Sequence, residues 1–532
     1  MLPYTGAMNT LSRRHFLLVA GSSVAAASVL AACSSPAPNP TASPAVPTST
    51  PTPLGPPVWG ELKSAVKGTL LLPADTDYAA AKLTENPRFD DAQPLAVLEA
   101  SSAADVAAAL AFATKYRVPV ALRSGGHNYV GWSAGGAAGS DVAPSLIIST
   151  TTLTDVTLSD SGTTARVGAG ASLAEVYNTL GSAGRAIAGG SCATVGVTGL
   201  TLGGGVGVLV RSFGLACDQL TGVEIVTADG TVHQASSTND ADLFWASQGG
   251  GGGMMGVVTG LTFVTQKAPD VTTWYVEWPW SAAAEVISAW QTWAPSADNR
   301  LWSTLKLLGG ETHQGNPSVS VSGTWTGDQT DAALAAQLAP LVNGVTASPD
   351  ANKSFTHSYL DAMMIEAGCQ GVDITQCNTG PNGKLTREPS SGTSNMAYVT
   401  LDASGISDLI AQVEAAQKVS GMTEGGISMD ALGGVVATID PAATAFVHRA
   451  ALFSVQYTAT FAVGAAPAPF DAYVRTFRTA MTAHWQNWAY VNYADATVPD
   501  ADTAYFGANL ARLTALKKQY DPNSLFTQPQ SY

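Results

Sequence analysis

Two short segments hold residue types at spacings that can do chemistry. In Arg123-Ser124-Gly125-Gly126-His127-Asn128-Tyr129 a glycine pair runs into an imidazole. In Gly189-Gly190-Ser191-Cys192-Ala193-Thr194-Val195-Gly196-Val197 a thiol sits among glycines. Successive backbone N–H groups in a glycine-rich turn can cradle an anion such as pyrophosphate. The second segment runs on through Gly199, Gly203-Gly204-Gly205, Gly207 and Arg211-Ser212-Phe213-Gly214-Leu215. Glycines at this density let backbone lie close to a flat, bulky ligand. Residue chemistry alone leaves a second reading open, a glycine-rich turn beside a core histidine and a buried cysteine.

Two other motifs match known patterns without their context. Gly131-Trp132-Ser133-Ala134-Gly135 has the form of a hydrolase nucleophile elbow, which needs a helix straight after the serine. Gly-Gly-Ala-Ala-Gly-Ser follows instead and starts a helix poorly. Gly251-Gly252-Gly253-Met254-Met255-Gly256 has the dinucleotide form, which needs a following helix. Val257–Val264 is β-branched and strand-like instead. The 7 histidines include no HExxH and no paired ligand spacing, so no metal site is expected.

The frame for these loops is of α+β texture. Val118-Pro119-Val120-Ala121-Leu122 is a short strand ahead of the first loop. Ser102 and Asp105 form a capping pattern before an Ala-rich helix through Tyr116. Leu146-Ile147-Ile148 and Ala165-Arg166-Val167 are further strands, and Ser172 and Glu175 cap a second helix. Val223–Thr227, Ala228-Asp229-Gly230 and Thr231–Gln234 make a hairpin. From about Val271 the texture changes. Trp274, Trp278, Trp280, Trp290, Trp293, Trp302 and Trp325 cluster, and Ser318–Thr324 and Phe453–Phe461 alternate as antiparallel strands do. The last stretch loses that texture again.

Composition bounds the function. Hydrophobic residues are 46% and charged residues 12%, against about 25% charged in typical domains. Gly is 53 of 532. The formal charge is −15, and −17 without Arg13 and Arg14. No Lys/Arg cluster occurs, so nucleic acid is not an expected partner.

Ser12-Arg13-Arg14-His15-Phe16-Leu17 before a short apolar run reads as a twin-arginine export leader. Leu30-Ala31-Ala32-Cys33 looks like a lipobox, which would put a lipid on Cys33 and make that lipid the only membrane contact. The chain is then exported and either lipid-anchored to the outer face of the membrane or secreted. Residues 34–57 are rich in Pro, Ser, Thr and Ala and carry no charge, as a spacer does.

The loop segments resemble the berberine-bridge-enzyme-like branch of the vanillyl-alcohol-oxidase flavoprotein family, with its PCMH-type FAD-binding fold. Arg123 to Tyr129 matches the pattern R-S-G-G-H-x-Y. Gly190, Cys192, Thr194-Val195-Gly196, the glycine run, Arg211, Gly214-Leu215 and Asp218 match a second pattern. Leu243-Phe244-Trp245-Ala246 with Gly249–Gly253 and Gly256-Val257-Val258-Thr259 match a third. Tyr490-Val491-Asn492-Tyr493, Tyr505, Gly507, Asn509, Arg512-Leu513, Lys517, Tyr520-Asp521-Pro522 and Phe526 match the closing module.

The resemblance implies a two-lobed α+β fold. Its expected parts are a leader 1–32, a tether 33–57, an FAD domain 58–270, a substrate domain 271–479 on an antiparallel sheet covered by helices, and a closing segment 480–532 that completes the FAD domain. It implies FAD bound by Arg123, Ser124, Gly125, Gly126, Asn128, Tyr129, Ser133, Gly190, Thr194, Val195, Gly196, Gly199, Val258 and Asn492. It implies two covalent bonds to the flavin, from His127 to the 8α carbon and from Cys192 to C6. The substrate is then a small alcohol or hemiacetal, a sugar or a secondary-metabolite carbinol. Val195 falls at the family's oxygen gate, where a small residue goes with O2 as acceptor and H2O2 as product; a dehydrogenase with another acceptor is the alternative.

The catalytic base is expected at Tyr493, with Tyr490 as second candidate and Gln456, in Val455-Gln456-Tyr457, donating to the phenolate. The alternative is that both tyrosines only line the flavin. Three departures from the family weaken the substrate assignment: Val206 where many relatives have Tyr, Leu200 for His, and Ala193 for Pro. Readings of a different class are a serine hydrolase using Ser133 and a glycan-binding lipoprotein that stacks sugars on its tryptophans. A monomer is expected. Cys217 should be buried and free, and Cys369 and Cys377 should pair, closing a short loop worth about 2–3 kcal/mol.

Overall fold

A computed structural model describes residues 56–532, and the leader and most of the tether lie outside the described residues. The first helix is Pro56–Ala65, so the expected 57/58 boundary falls inside it. Proline is tolerated in a first helical turn, where its missing N–H has no partner to lose.

A four-stranded sheet runs in the order Thr69–Leu71, Ala96–Glu99, Leu146–Ser149, Val120–Arg123. Its last three strands are parallel. The helix Ala103–Tyr116 supplies the crossover, and the Ser102 side chain accepts from Asp105 N–H at 3.3 Å. Val120–Arg123 therefore ends at the carboxyl edge of a parallel sheet, where loops are free to build a ligand site. A five-stranded antiparallel sheet follows in the order Val156–Leu158, Thr164–Gly168, Val257–Val264, Leu220–Val226, Val232–Ala235. The Ser172–Glu175 capping box starts the helix Leu173–Ser182, as its spacing predicts.

The second lobe is one seven-stranded antiparallel sheet. Its order is Ala351–Ser358, Asp270–Trp278, Ser318–Trp325, Leu301–Gly309, Met422–Ala431, Phe453–Phe461, Ser390–Ala397. The period of two decides its faces. Leu301, Leu305, Leu307, Ile427, Met429, Ala431, Val455 and Tyr457 share one core with residues of the helices Ala283–Trp293, Asp331–Asn343, Ala403–Ala415 and Ala468–Trp485. Trp274, Trp278, Trp290, Trp293 and Trp325 lie in that core too. These five rings fill space between sheet and helices and so offer no stacking surface to a sugar. The expected 479/480 boundary cuts the helix Ala468–Trp485, whose Phe477, Met481 and Trp485 belong to the same core. The lobe therefore runs on to Trp485.

Buried charges tie the parts together. Arg211 donates to the carbonyls of Leu301 (2.9 Å), Ala297 (2.6 Å) and Leu432. Asp218 pairs with Arg449 at 2.7 and 2.8 Å. Lys517 Nζ donates to Met254 O (2.7 Å), Phe526 O (2.8 Å) and Asp521 (2.8 Å). Cys369 and Cys377 form a disulfide, and Cys217 is buried and free.

His448 is buried with both ring nitrogens engaged. Nε2 donates to Tyr505 O at 3.0 Å, so Nδ1 is the acceptor for Tyr398 OH at 2.8 Å. Burial lowers its pKa to about 4. Between pH 6.5 and 4 the unfolded chain takes up a proton that the folded one refuses, so stability falls as pH falls through this window and is flat above it. The loss is up to about 3 kcal/mol at pH 4. Thermal denaturation should show this acid slope, and His448→Asn, less stable at pH 7, should flatten it.

Candidate active site

Two loops meet backbone to backbone. A Cβ on Gly125 would lie 2.1 Å from Gly196 N, and one on Gly196 would lie 2.2 Å from Gly125 N, so only glycine fits either place. The amide N–H groups of residues 125–129 donate to no protein acceptor among the described residues. The loop's own polar side chains hold its shape. Ser124 Oγ donates to Ala169 O at 2.7 Å, and Asn128 Oδ1 accepts from Trp132 N–H at 2.9 Å. Arg123 braces the strand end, its guanidinium donating to the carbonyls of Lys82 (2.9 Å), Leu83 (3.1 Å) and Ala81, and the residue also lines the cavity that the loops wall.

The loops wall a cavity of about 400 Å³, within the range usual for small-ligand sites. Gly125, Gly126, His127, Asn128, Tyr129, Ser133, Gly190, Cys192, Val195, Gly196, Gly199, Val258 and Asn492 all line it. Trp132 Nε1, Ser133 Oγ and Thr198 Oγ1 also line it, each buried with no hydrogen-bond partner among the described residues. Buried donors left idle beside a row of open amides suit a ligand rich in acceptors, and an FAD pyrophosphate and ring edge are such acceptors. Ser133 has no base on its hydroxyl, which removes the hydrolase reading.

His127 and Cys192 share this cavity. Thr194 does not line it; its hydroxyl lies 2.9 Å from His127 Nε2, so it orients the ring instead of touching a ligand. Nδ1 is left with only the Glu85 carboxylate, 4.0 Å away. Burial lowers the His127 pKa to about 4, so the ring is neutral in neutral solution. The Cys192 thiol is exposed to the cavity yet deep in the protein, and that burial pushes its pKa up. In the protein alone Cys192 is therefore held as the neutral thiol.

The other side of the cavity is the second face of the seven-stranded sheet. Trp302, Thr304, Lys306, Ser322, Ser428, Asp430 and Gln456 line it, and Glu366 joins them from a helix end. Register makes these one patch: Thr304 lies opposite both Ser322 and Asp430, Lys306 opposite Ser428, and Ser428 opposite Gln456. Sequence reasoning missed this patch apart from Gln456 and Trp302. Its signal was present, since Lys306 and Asp430 stand among alternating apolar residues of two strands. Nothing in the sequence says that this face looks onto a cavity.

The tyrosines divide. The Tyr493 hydroxyl has no hydrogen-bond partner among the described residues, and its ring lines the cavity, stacked on Tyr129 with centroids 5.4 Å apart. Tyr490 is turned away. Its hydroxyl accepts from Gly205 N–H (2.8 Å), Val206 N–H (3.3 Å) and Asn492 Nδ2 (2.9 Å), so it holds the glycine run in place. The Gln456 amide donates to Tyr129 OH and not to Tyr493, because the Tyr129 ring lies between strand and phenol. Burial pushes the Tyr493 phenol well above its usual range, and Tyr129 and Asp430 push it the same way. The expected lowering by Gln456 is absent.

Two family models match, one described as "FAD binding domain" over residues 94–236 and one as "Berberine and berberine like" over residues 489–531. An uncharacterized FAD-linked oxidoreductase of Bacillus subtilis is 30% identical over 473 residues, 88% of this chain and 97% of that one. A chitooligosaccharide oxidase of Gibberella zeae is 29% identical over 454 residues, 82% of this chain and 87% of that one. The solved structure of BBE-like 1 from Physcomitrella patens superposes with a TM-score of 0.80 at 25% identity, covering 89% of this chain and 98% of that one.

The loop contact generates a direct test. Gly125→Ala forces two backbones apart, a strain of about 1–3 kcal/mol. The variant should fold with a lowered Tm and lose the 450 nm absorbance of retained FAD.

Proposed function

The chain belongs to the berberine-bridge-enzyme-like FAD-linked oxidoreductases, and from that premise we infer that it oxidises the hemiacetal carbon of a sugar with O2 as acceptor. The enzyme acts on CH–OH groups. One observation carries the narrower reading: a phenol with a free hydroxyl, Tyr493, lines the same cavity as His127, Cys192 and a roof of hydroxyl, ammonium, carboxylate and amide groups. Such a roof suits a substrate that is mostly hydroxyl groups, and a chitooligosaccharide oxidase is among the relatives.

FAD, when bound, supplies the acceptor for the substrate hydride. The open amides of residues 125–129 and the idle donors of Trp132, Ser133 and Thr198 hold its polar parts. His127 keeps Nδ1 for a bond to the 8α carbon, since Thr194 occupies Nε2. Cys192 supplies the second bond, to C6. Tyr493 takes the hydroxyl proton that must leave as the hydride departs. A phenol desolvated by its surroundings holds its own proton tightly, so it needs somewhere to pass it, and Asp430 is a half-buried carboxylate whose charge Tyr493 feels. Tyr129 and Gln456 set the angle of the Tyr493 ring through the stack. Val195 lines the cavity and is small, which favours O2 reaching it. The leader reading belongs to the same inference: a monomer exported by the twin-arginine motif and tethered through a lipid on Cys33.

Three measurements test this. Rapid-mixing reduction by a sugar panel should speed up as pH rises from neutral toward 10, because the base works only when unprotonated. Tyr493→Phe should slow it by about 10²–10⁴ and flatten the profile; near-normal reduction would remove Tyr493 from the role. Acid precipitation should leave a yellow pellet from the parent protein and from either single variant, His127→Ala or Cys192→Ala, and a colourless pellet from the double variant. The reduced enzyme in aerated buffer should release H2O2.

A further inference from the structure

One wall of the cavity is built as a knot. Glu366 ends the helix Tyr359–Glu366. Gly368, at φ +71°, reverses the chain, with its N–H on Ile365 O at 3.0 Å and Cys369 N–H on Met364 O at 2.8 Å. Cys369, Cys377 and Ala367 then pack against Ala174 and Ala193. Ala193 adjoins Cys192, so the wall that carries Glu366 and the loop that carries the thiol are one packed unit.

Glu366 sits where stability does not want it. A carboxylate at the last residue of a helix meets the negative end of the helix dipole. It lines the cavity half-buried, with no hydrogen-bond partner among the described residues, and desolvation raises its pKa. Lys306 is the positive charge that acts on it, and on Asp430 as well. Yet Lys306 closes an ion pair with neither among the described residues. Strand and helix hold the ammonium and the carboxylates apart. Thr304, the register partner of Asp430, holds its buried hydroxyl against that carboxylate.

Groups of opposite charge kept from pairing across a cavity await a ligand that is donor and acceptor at once. An anion would meet Glu366 and Asp430, and a cation would meet Lys306. Two neighbouring hydroxyl groups satisfy both, one accepting from the ammonium and one donating to the carboxylate.

We propose that Glu366 and Lys306 form a specificity subsite that binds two ring hydroxyls of a neutral sugar at carbons that are not oxidised, with the Cys369–Cys377 knot as the device that positions Glu366. The subsite rests on the sugar reading above and deepens it.

The test separates the two. Calorimetric binding of 1,5-anhydro-D-glucitol, a polyol with no anomeric hydroxyl to oxidise, is measured on the flavin-loaded enzyme. The parent protein should bind it, and Glu366→Gln and Lys306→Met should each weaken binding at least tenfold. The Cys369→Ser, Cys377→Ser double variant should weaken it too, and should add little on top of Glu366→Gln. Matching melting curves for parent and Glu366→Gln keep folding out of the comparison. Unchanged binding in both charge variants, or no binding by the parent, overturns the subsite. An enzyme that binds the polyol in a Glu366-dependent way but oxidises no sugar sinks the oxidase reading alone. A sugar oxidase whose KM ignores both residues sinks the subsite alone.

Discussion

Everything at this site depends on two backbones touching. Gly125 and Gly196 approach so closely that neither has room for a Cβ, and this contact brings loops some seventy residues apart in sequence to the rim of one cavity. With it, an imidazole and a thiol face the same space. Without it, His127 and Cys192 would be two unrelated residues on two surfaces. The contact also explains why the polar side chains of the first loop are spent on the protein itself. Ser124 and Asn128 fix the loop's path, which leaves the amides to serve a ligand.

The second requirement is a sheet with two unlike faces. Its helical side is packed with tryptophan and aliphatic side chains, and its cavity side carries hydroxyls and charges. One strand shows the division: Leu305 and Leu307 enter the core while Thr304 and Lys306 line the cavity. Such a face is costly unless something polar covers it. Arg211 helps to hold it in place, since its guanidinium reaches three carbonyls around that lobe.

What the sequence made legible was what backbone chemistry dictates. Glycine-rich loops, the Ser102 cap, the Ser172–Glu175 capping box, the hairpin and the alternating strands follow from local rules, and the structure contains them. The side-chain roles were less legible, because register and rotation decide them. Tyr490 and Tyr493 lie three residues apart in one tight turn, and their rings stand at 80° to each other. One hydroxyl goes into the glycine run and the other stays open, a difference no spacing announces. Gln456 meets Tyr129 across a separation of 327 residues, so its partner could be read only from the fold. The charged roof was hidden for the same reason.

The seam that Lys517 and Gln528 close has a consequence for the order of events in the cell. Gln528 Nε2 donates to Gly252 O at 3.0 Å across 276 residues of chain. At roughly 5–20 residues per second of synthesis, that interval is tens of seconds. Throughout it the glycine-rich loops have been made but lack the strip that seals them. The closed pocket is therefore a late product of translation, completed only when the C-terminal strip reaches the loops made long before it.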